Sequence, residues 1–203
     1  MRVQSKPVGF LTPAHETALP GTGNALLCVS ASVVLMALAA QMRFPVPGTE
    51  VPATLQSFVL LLVAFVLTPG QAFAAMAAYL ALGLCGAPVF AAGSPGILGS
   101  TGGFLVGFAV CAPLMALLRG THAALPRLVT SGLVGFALLF AMGNLWRWGY
   151  WSRVEGQGVS LVATLATGLL PFAPKALVEI LLAASLVRVV RRSRNAGSHT
   201  VGD

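Results

Sequence analysis

Lys175 and Glu179 are the side chains in this sequence best placed to do chemistry. Between Val159 and Val187 they are the only charged residues, and they stand four apart. On a helix that spacing puts both on one face. Each costs roughly 2.5–3.5 kcal/mol or more to place in hydrocarbon, so neither is expected to face lipid. Pro171 and Pro174 suit a helix first turn. This sets Lys175 near one end of the helix and Glu179 about 6 Å deeper. Two readings are open. In one, the pair neutralises itself and locks helix packing, or Lys175 only reaches out to the interface. In the other, the pair serves a ligand, because Glu N-terminal to Lys is the better self-pairing order and here the order is reversed. A cation near a mouth with an acceptor beneath it suits a ligand with an acidic end and N–H donors.

The remaining polar candidates are weaker. Gln56 opens an apolar segment, either as a ligand contact or as a helix-end hydrogen bond, with Thr54 just before it. Asn144 lies near the end of another apolar segment. The Thr101-Gly102-Gly103 turn precedes a helix, where backbone N–H groups either hold a carboxylate or carbonyl or simply cap. Trp146, Trp148, Tyr150 and Trp151 have the composition of an interfacial aromatic belt, with stacking platforms for a ligand as the second reading. There is no GxxxxGK[ST] loop, no HExxH, no Ser/His/Asp set and no carboxylate cluster. No cofactor, metal site or enzymatic activity is expected, and any active transport must draw on a partner or a gradient. Cys28, Cys85 and Cys111 lack metal or redox spacing and are expected to be small buried hydrophobes.

These residues must be positioned by membrane helices. The 203 residues are 57% hydrophobic and 8% charged, with a mean hydropathy of +0.87. Soluble domains carry about 25% charged residues. The expected class is an all-α integral membrane protein of six transmembrane helices, each crossing needing roughly 17–25 residues or fewer when buried in protein. The formal charge of +7 is not gathered on a soluble module, so nucleic acid is not an expected partner.

The expected spans are 25–42, 54–68, 71–85, 104–118, 128–145 and 171–190, with a short interfacial helix over 159–170. Residues 1–24 and 195–203 are expected to be cytoplasmic tails around a 25–194 membrane domain. Two Gly/Pro-rich segments, PVPGTEVPATLQSF from Pro45 to Phe58 and GAPVFAAGSPGILGSTGG from Gly86 to Gly103, cannot continue a helix and are expected to be rigid loops. A third loop is expected over Trp146–Gln157. Alternate loops carry eight basic residues (Arg2, Lys6, Arg119, Arg127, Arg188, Arg191, Arg192, Arg194) on one face, against Arg43, Arg147 and Arg153 on the other. By the positive-inside rule both termini are cytoplasmic and the three special loops face outward. The Cys28-x3-Ser32 pattern with Ala37, and Gly103-x3-Gly107, permit close helix approach within this chain or to a partner.

The loop PVPGTEVPATLQSF, then Tyr79-Leu80 and Leu82-Gly83, GAPVFAAG from Gly86 to Gly93 and GSTGGFLVGF from Gly99 to Phe108, resemble the BioY family. These are biotin-specific substrate-binding (S) components of energy-coupling factor transporters. The resemblance implies an S-component bundle in the bacterial cytoplasmic membrane that binds biotin in an outward-facing pocket. Its implied partners are a transmembrane scaffold protein and two ATP-binding cassette ATPases, which use the ATP. It adds Phe90 and Gly93 to the ligand-binding candidates Thr54, Gln56, Thr101, Gly102, Gly103, Asn144, Lys175 and Glu179. It also makes Cys28, Ser32 and Ala37 the partner-docking candidates. Another vitamin or small solute is the alternative ligand.

In the family the last helix usually begins PF-x-PGD-x-x-K, with the Asp and Lys at the ligand. Here Pro171, Phe172 and Pro174 match, but Lys175 and Ala176 stand where Gly and Asp are usual, and Glu179 where Lys is usual. One acid and one base remain with exchanged positions. Glu179, or a nearby polar group, is therefore expected to accept from ureido N–H groups and Lys175 to meet a carbonyl or carboxylate oxygen.

Overall fold

A computed structural model describes residues 22–46, 52–91, 96–121, 124–154, 156 and 158–198. The helices are α1 (Thr22–Gln41), α2 (Gln56–Val66), α3 (Pro69–Leu84), α4 (Gly102–Arg119), α5 (Leu125–Arg153), α6 (Leu161–Leu169) and α7 (Ala173–Ser198). α1, α4 and α5 are each long and apolar enough to cross a membrane, and α6 with α7 is so when the pair is taken together across a 43° bend. α2 and α3 are shorter apolar helices. α2 crosses with few residues because Leu60, Leu61, Ala64 and Phe65 are wholly buried in the bundle, so little of it meets lipid. Counting α6–α7 once gives the six expected crossings.

The two ends of the bundle are chemically distinct. At one end α2 breaks into α3 across Leu67-Thr68-Pro69. A reciprocal capping box uses the Thr68 N–H on Gln71 Oε1 (3.1 Å) and the Gln71 N–H on Thr68 Oγ1 (3.3 Å). Those are the donors that a continuous helix would give to the Ala64 and Leu67 carbonyls, and Pro69 has none to give to Phe65. Arginines supply the missing donors. Arg119 Nε donates to Ala64 O (2.7 Å) and its Nη2 to Leu67 O (2.5 Å), while Arg191 Nη2 donates to Phe65 O (2.7 Å). The basic residues assigned to the cytoplasm thus also complete the backbone at that end. α1 ends at the opposite face, next to Arg43, and α7 runs back to Arg191, so both terminal helices have their outer ends on the Arg119 side.

Two segments differ from expectation. The Pro45–Phe58 loop is closed by a short antiparallel ladder, β1 (Arg43–Phe44) with β2 (Ala53–Thr54), pairing Arg43 with Thr54 and Phe44 with Ala53. Residues 47–51 lie outside the described residues. The Trp146–Gln157 stretch is not a loop up to residue 153: α5 continues through Arg153. No proline interrupts it, and the tryptophans have helix-compatible partners. Trp146 Nε1 donates to Gly99 O (2.9 Å) and Trp148 Nε1 to Val159 O (3.1 Å).

The small-residue patterns meet this chain's own helices. A Cβ on Gly103 would lie 2.8 Å from Met142 O, and one on Gly107 would lie 2.7 Å from Leu139 Cδ1. Both glycines therefore let α4 close on α5. Ser32 is buried, its hydroxyl donating to Cys28 O (2.7 Å), and Cys28 and Ala37 pack against the core. The outward face of α1 is instead Leu27, Val34, Leu35 and Leu38. Cys111 is buried as expected, whereas Cys85, at the C-terminus of α3, is exposed.

Candidate functional site

At the end opposite Arg119, the N-terminal ends of α2, α4 and α7 and the C-terminal part of α5 surround a cavity of about 570 Å³. Its walls are aromatic. Phe140 lies edge-on to Phe104 and Phe136, both 6.2 Å away, and 6.3 Å from Phe172. Such edge-to-face contacts fix ring positions beyond what area burial alone achieves. The β1–β2 hairpin contributes Arg43, Pro45, Pro52 and Thr54, and the α3–α4 connection contributes Phe90 and Thr101.

The acid and base of α7 meet within this wall. Lys175 Nζ donates to Glu179 Oε1 at 2.6 Å and to Ser57 Oγ of α2 at 2.7 Å. The reversed order therefore does not keep the two apart, since Ser57 holds the ammonium over the carboxylate. Glu179 is buried, and its Oε2 has no hydrogen-bond partner among the described residues. A buried carboxylate oxygen without a donor is costly. Placed on a cavity, it is a vacant acceptor for a ligand N–H.

A second network sets the cavity's rim. Gln56 Nε2 donates to Tyr79 Oη (2.8 Å), and Tyr79 donates onward to Val89 O (3.0 Å). Gln56 Oε1 accepts from Thr54 Oγ1 (3.2 Å). Tyr79 is fully buried, with its ring edge-on to Phe90 at 5.4 Å. The Phe90 ring fills the space beside Gly83 that a Cβ would occupy. One hydroxyl thus ties the hairpin side of the cavity to the α3–α4 connection. Tyr79→Phe leaves the buried Gln56 amide short of its acceptor and is expected to cost about 1–3 kcal/mol, measured as a lowered thermal midpoint of the purified protein.

α5 presents Phe136, Phe140, Arg147 and Trp151 to the cavity, at spacings of four, seven and four, a helical stripe. The Arg147 guanidinium sits 4.4 Å from the Trp151 ring centre and donates from Nη2 to Thr167 Oγ1 of α6 (2.6 Å). Cation–π stacking of this kind holds an arginine in one orientation.

Of the residues expected from sequence, Thr54, Gln56, Phe90, Thr101, Lys175 and Glu179 come together on the cavity. Gly93 lies outside the described residues. Gly102, Gly103 and Asn144 are not among the described lining residues. The Gly102 N–H donates to Gly99 O (3.0 Å). Asn144 is buried between α5 and α6, its Nδ2 donating to Phe140 O (2.8 Å) and its Oδ1 turned against Gly168. Of the docking candidates on α1, Ser32 is buried while Cys28 and Ala37 are half-buried. Arg147, Ser57 and Tyr79 went unrecognised as site residues. The i, i+4 spacing of Arg147 and Trp151 was the available signal, obscured by taking that stretch for a loop.

The sequence profile of the BioY family matches residues 14–196. The chain belongs to the BioY family. This BioY-family chain is 29% identical over 161 residues to a probable biotin transporter BioY of Rickettsia prowazekii, covering 77% of the chain and 79% of that relative. It is 32% identical over 161 residues to a probable biotin transporter BioY of Pyrococcus horikoshii, covering 78% and 93%. The crystal structure of the S-component for biotin from an ECF-type ABC transporter shares its fold, with a TM-score of 0.72 at 20% identity over 86% of this chain and 95% of that one. This BioY-family chain is a multi-pass membrane transport protein rather than an enzyme.

Proposed function

We propose that the chain captures biotin in the cavity between α2, α4, α5 and α7, facing outward from the cytoplasmic membrane. Delivery then depends on an ATP-driven module of a scaffold protein and ATPases, the chain itself using no cofactor. Biotin has a cyclic urea with two N–H donors and a carbonyl, an apolar sulfur ring and a short carboxylate tail. The observation that carries the reading is Glu179 Oε2, a buried acceptor without a donor on an aromatic cavity. A ureido N–H supplies that donor. Lys175, with two of its three N–H groups already placed on Glu179 and Ser57, has one left for the ureido oxygen. The rings of Phe104, Phe140 and Phe172 cover the sulfur ring. The outward orientation is supported by the basic residues gathered at the Arg119 end, away from the cavity.

The test is saturable binding of radiolabelled biotin to the purified protein, with unlabelled biotin, thiamin and riboflavin as competitors. Displacement by biotin alone is expected. A folded preparation that binds one of the other vitamins and not biotin would overturn the assignment. Biotin uptake into a biotin-requiring host, with and without co-expressed scaffold and ATPases, tests the coupling: accumulation is expected only with them.

A further inference from the structure

We infer that Ser57 is the positioning residue that makes the cavity select a cyclic urea over the cationic cyclic guanidine of the same shape. This rests on biotin occupying the cavity as proposed above, with Lys175 facing the ureido oxygen. Ser57 is half-buried at the start of α2 and lines the cavity together with Lys175 and Glu179. Its Oγ lies 2.7 Å from Lys175 Nζ and 3.5 Å from Thr54 O. With the hydroxyl proton directed at Thr54 O, the oxygen lone pairs are left to the ammonium. Thr54 is itself held by its ladder pairing with Arg43 in the hairpin.

Glu179 alone does not fix Lys175. A lysine followed four residues later by a glutamate is the weaker order of a helical pair, and a lysine side chain has much rotamer freedom to lose. The Lys175 side chain is 27% exposed against 8% for Glu179, so there is open space into which the ammonium can swing. Ser57 comes from a different helix. Anchored at 2.6 Å on α7 and at 2.7 Å on α2, Nζ is held in one place and its third N–H in one direction. A ureido carbonyl offers lone pairs to that N–H. A protonated imino group on the same ring offers only donors, and adds a second positive charge that a fixed ammonium opposes. Glu179 Oε2 accepts ring N–H groups of either kind. Selection at the exocyclic atom therefore falls to Lys175, and its sharpness to the Ser57 hydroxyl that keeps the ammonium in place before the ligand arrives.

The test compares biotin with 2-iminobiotin, in which an imino nitrogen replaces the ureido oxygen and is protonated at about pH 7 as a guanidine is. Equilibrium binding is measured on the purified wild type, Ser57→Ala and Ser57→Thr. The wild type is expected to bind biotin at least about tenfold more tightly than the imino analogue, the scale of one charge-assisted contact. Ser57→Ala is expected to weaken biotin about tenfold and to leave the analogue within about twofold, because only the urea uses the fixed N–H. Ser57→Thr keeps the hydroxyl and is expected to keep most of the preference. A wild type that does not discriminate overturns the inference. So does an alanine variant that weakens both ligands equally, which is what a merely structural serine predicts, or one whose preference is unchanged. If Ser57→Ala does not fold, Ser57→Cys, similar in size but with only a weak sulfur acceptor, takes its place with the same expectation. A wild type that binds neither ligand instead removes the biotin assignment itself.

Discussion

Glu179→Leu is expected to weaken biotin binding by more than about 100-fold, and Glu179→Gln by about tenfold. A hydrogen bond to a charged group contributes roughly 1.5–3 kcal/mol, which is about 10–150-fold in affinity. Glutamine keeps an acceptor oxygen but loses the charge. Leucine loses both, leaving the ureido N–H without a partner in a buried site and Lys175 held by Ser57 alone. Equilibrium titration of both variants checks the order. If Glu179→Leu binds as the wild type does, the carboxylate serves only to hold Lys175 and α7 in place.

The second large effect falls at the other end of the molecule and on a different property. Arg119→Met removes the donors to the Ala64 and Leu67 carbonyls, two buried acceptors that the capping box at Thr68 has already deprived of helical partners. At about 1–3 kcal/mol for each orphaned acceptor, roughly 2–6 kcal/mol of stability is lost. Thermal unfolding in detergent should show a markedly lower midpoint. The fraction that remains folded should bind biotin within about threefold of the wild type, because the cavity lies at the far end of α2. An unchanged midpoint would mean that water satisfies those carbonyls as well as the arginine does.

The two effects separate what could be read from the sequence and what could not. The helix count was legible because hydrophobic length is a local property. Gln56, Thr54, Lys175 and Glu179 were legible as candidates because polar groups are costly in an apolar helix. Their partners were not: Tyr79 lies 23 residues from Gln56, and Ser57 lies 118 from Lys175. The Lys175–Glu179 contact was judged from the preference of isolated helices for the opposite order, a few tenths of a kcal/mol that one hydrogen bond from Ser57 overrides. Arg147 was missed for a related reason. A tryptophan-rich, basic stretch has the composition of an interface whether or not it is helical, and only the continuation of α5 turns Arg147 and Trp151 together into the cavity. Cys28 and Ser32 show the converse, since a small-residue face marks close packing without naming the neighbour.

The position of biotin in the cavity is the most direct test. A structure of the purified protein with biotin bound is expected to place a ureido nitrogen within hydrogen-bond distance of Glu179 Oε2 and the sulfur ring among Phe104, Phe140 and Phe172. Biotin bound with its urea away from Glu179, or outside the cavity altogether, would contradict it.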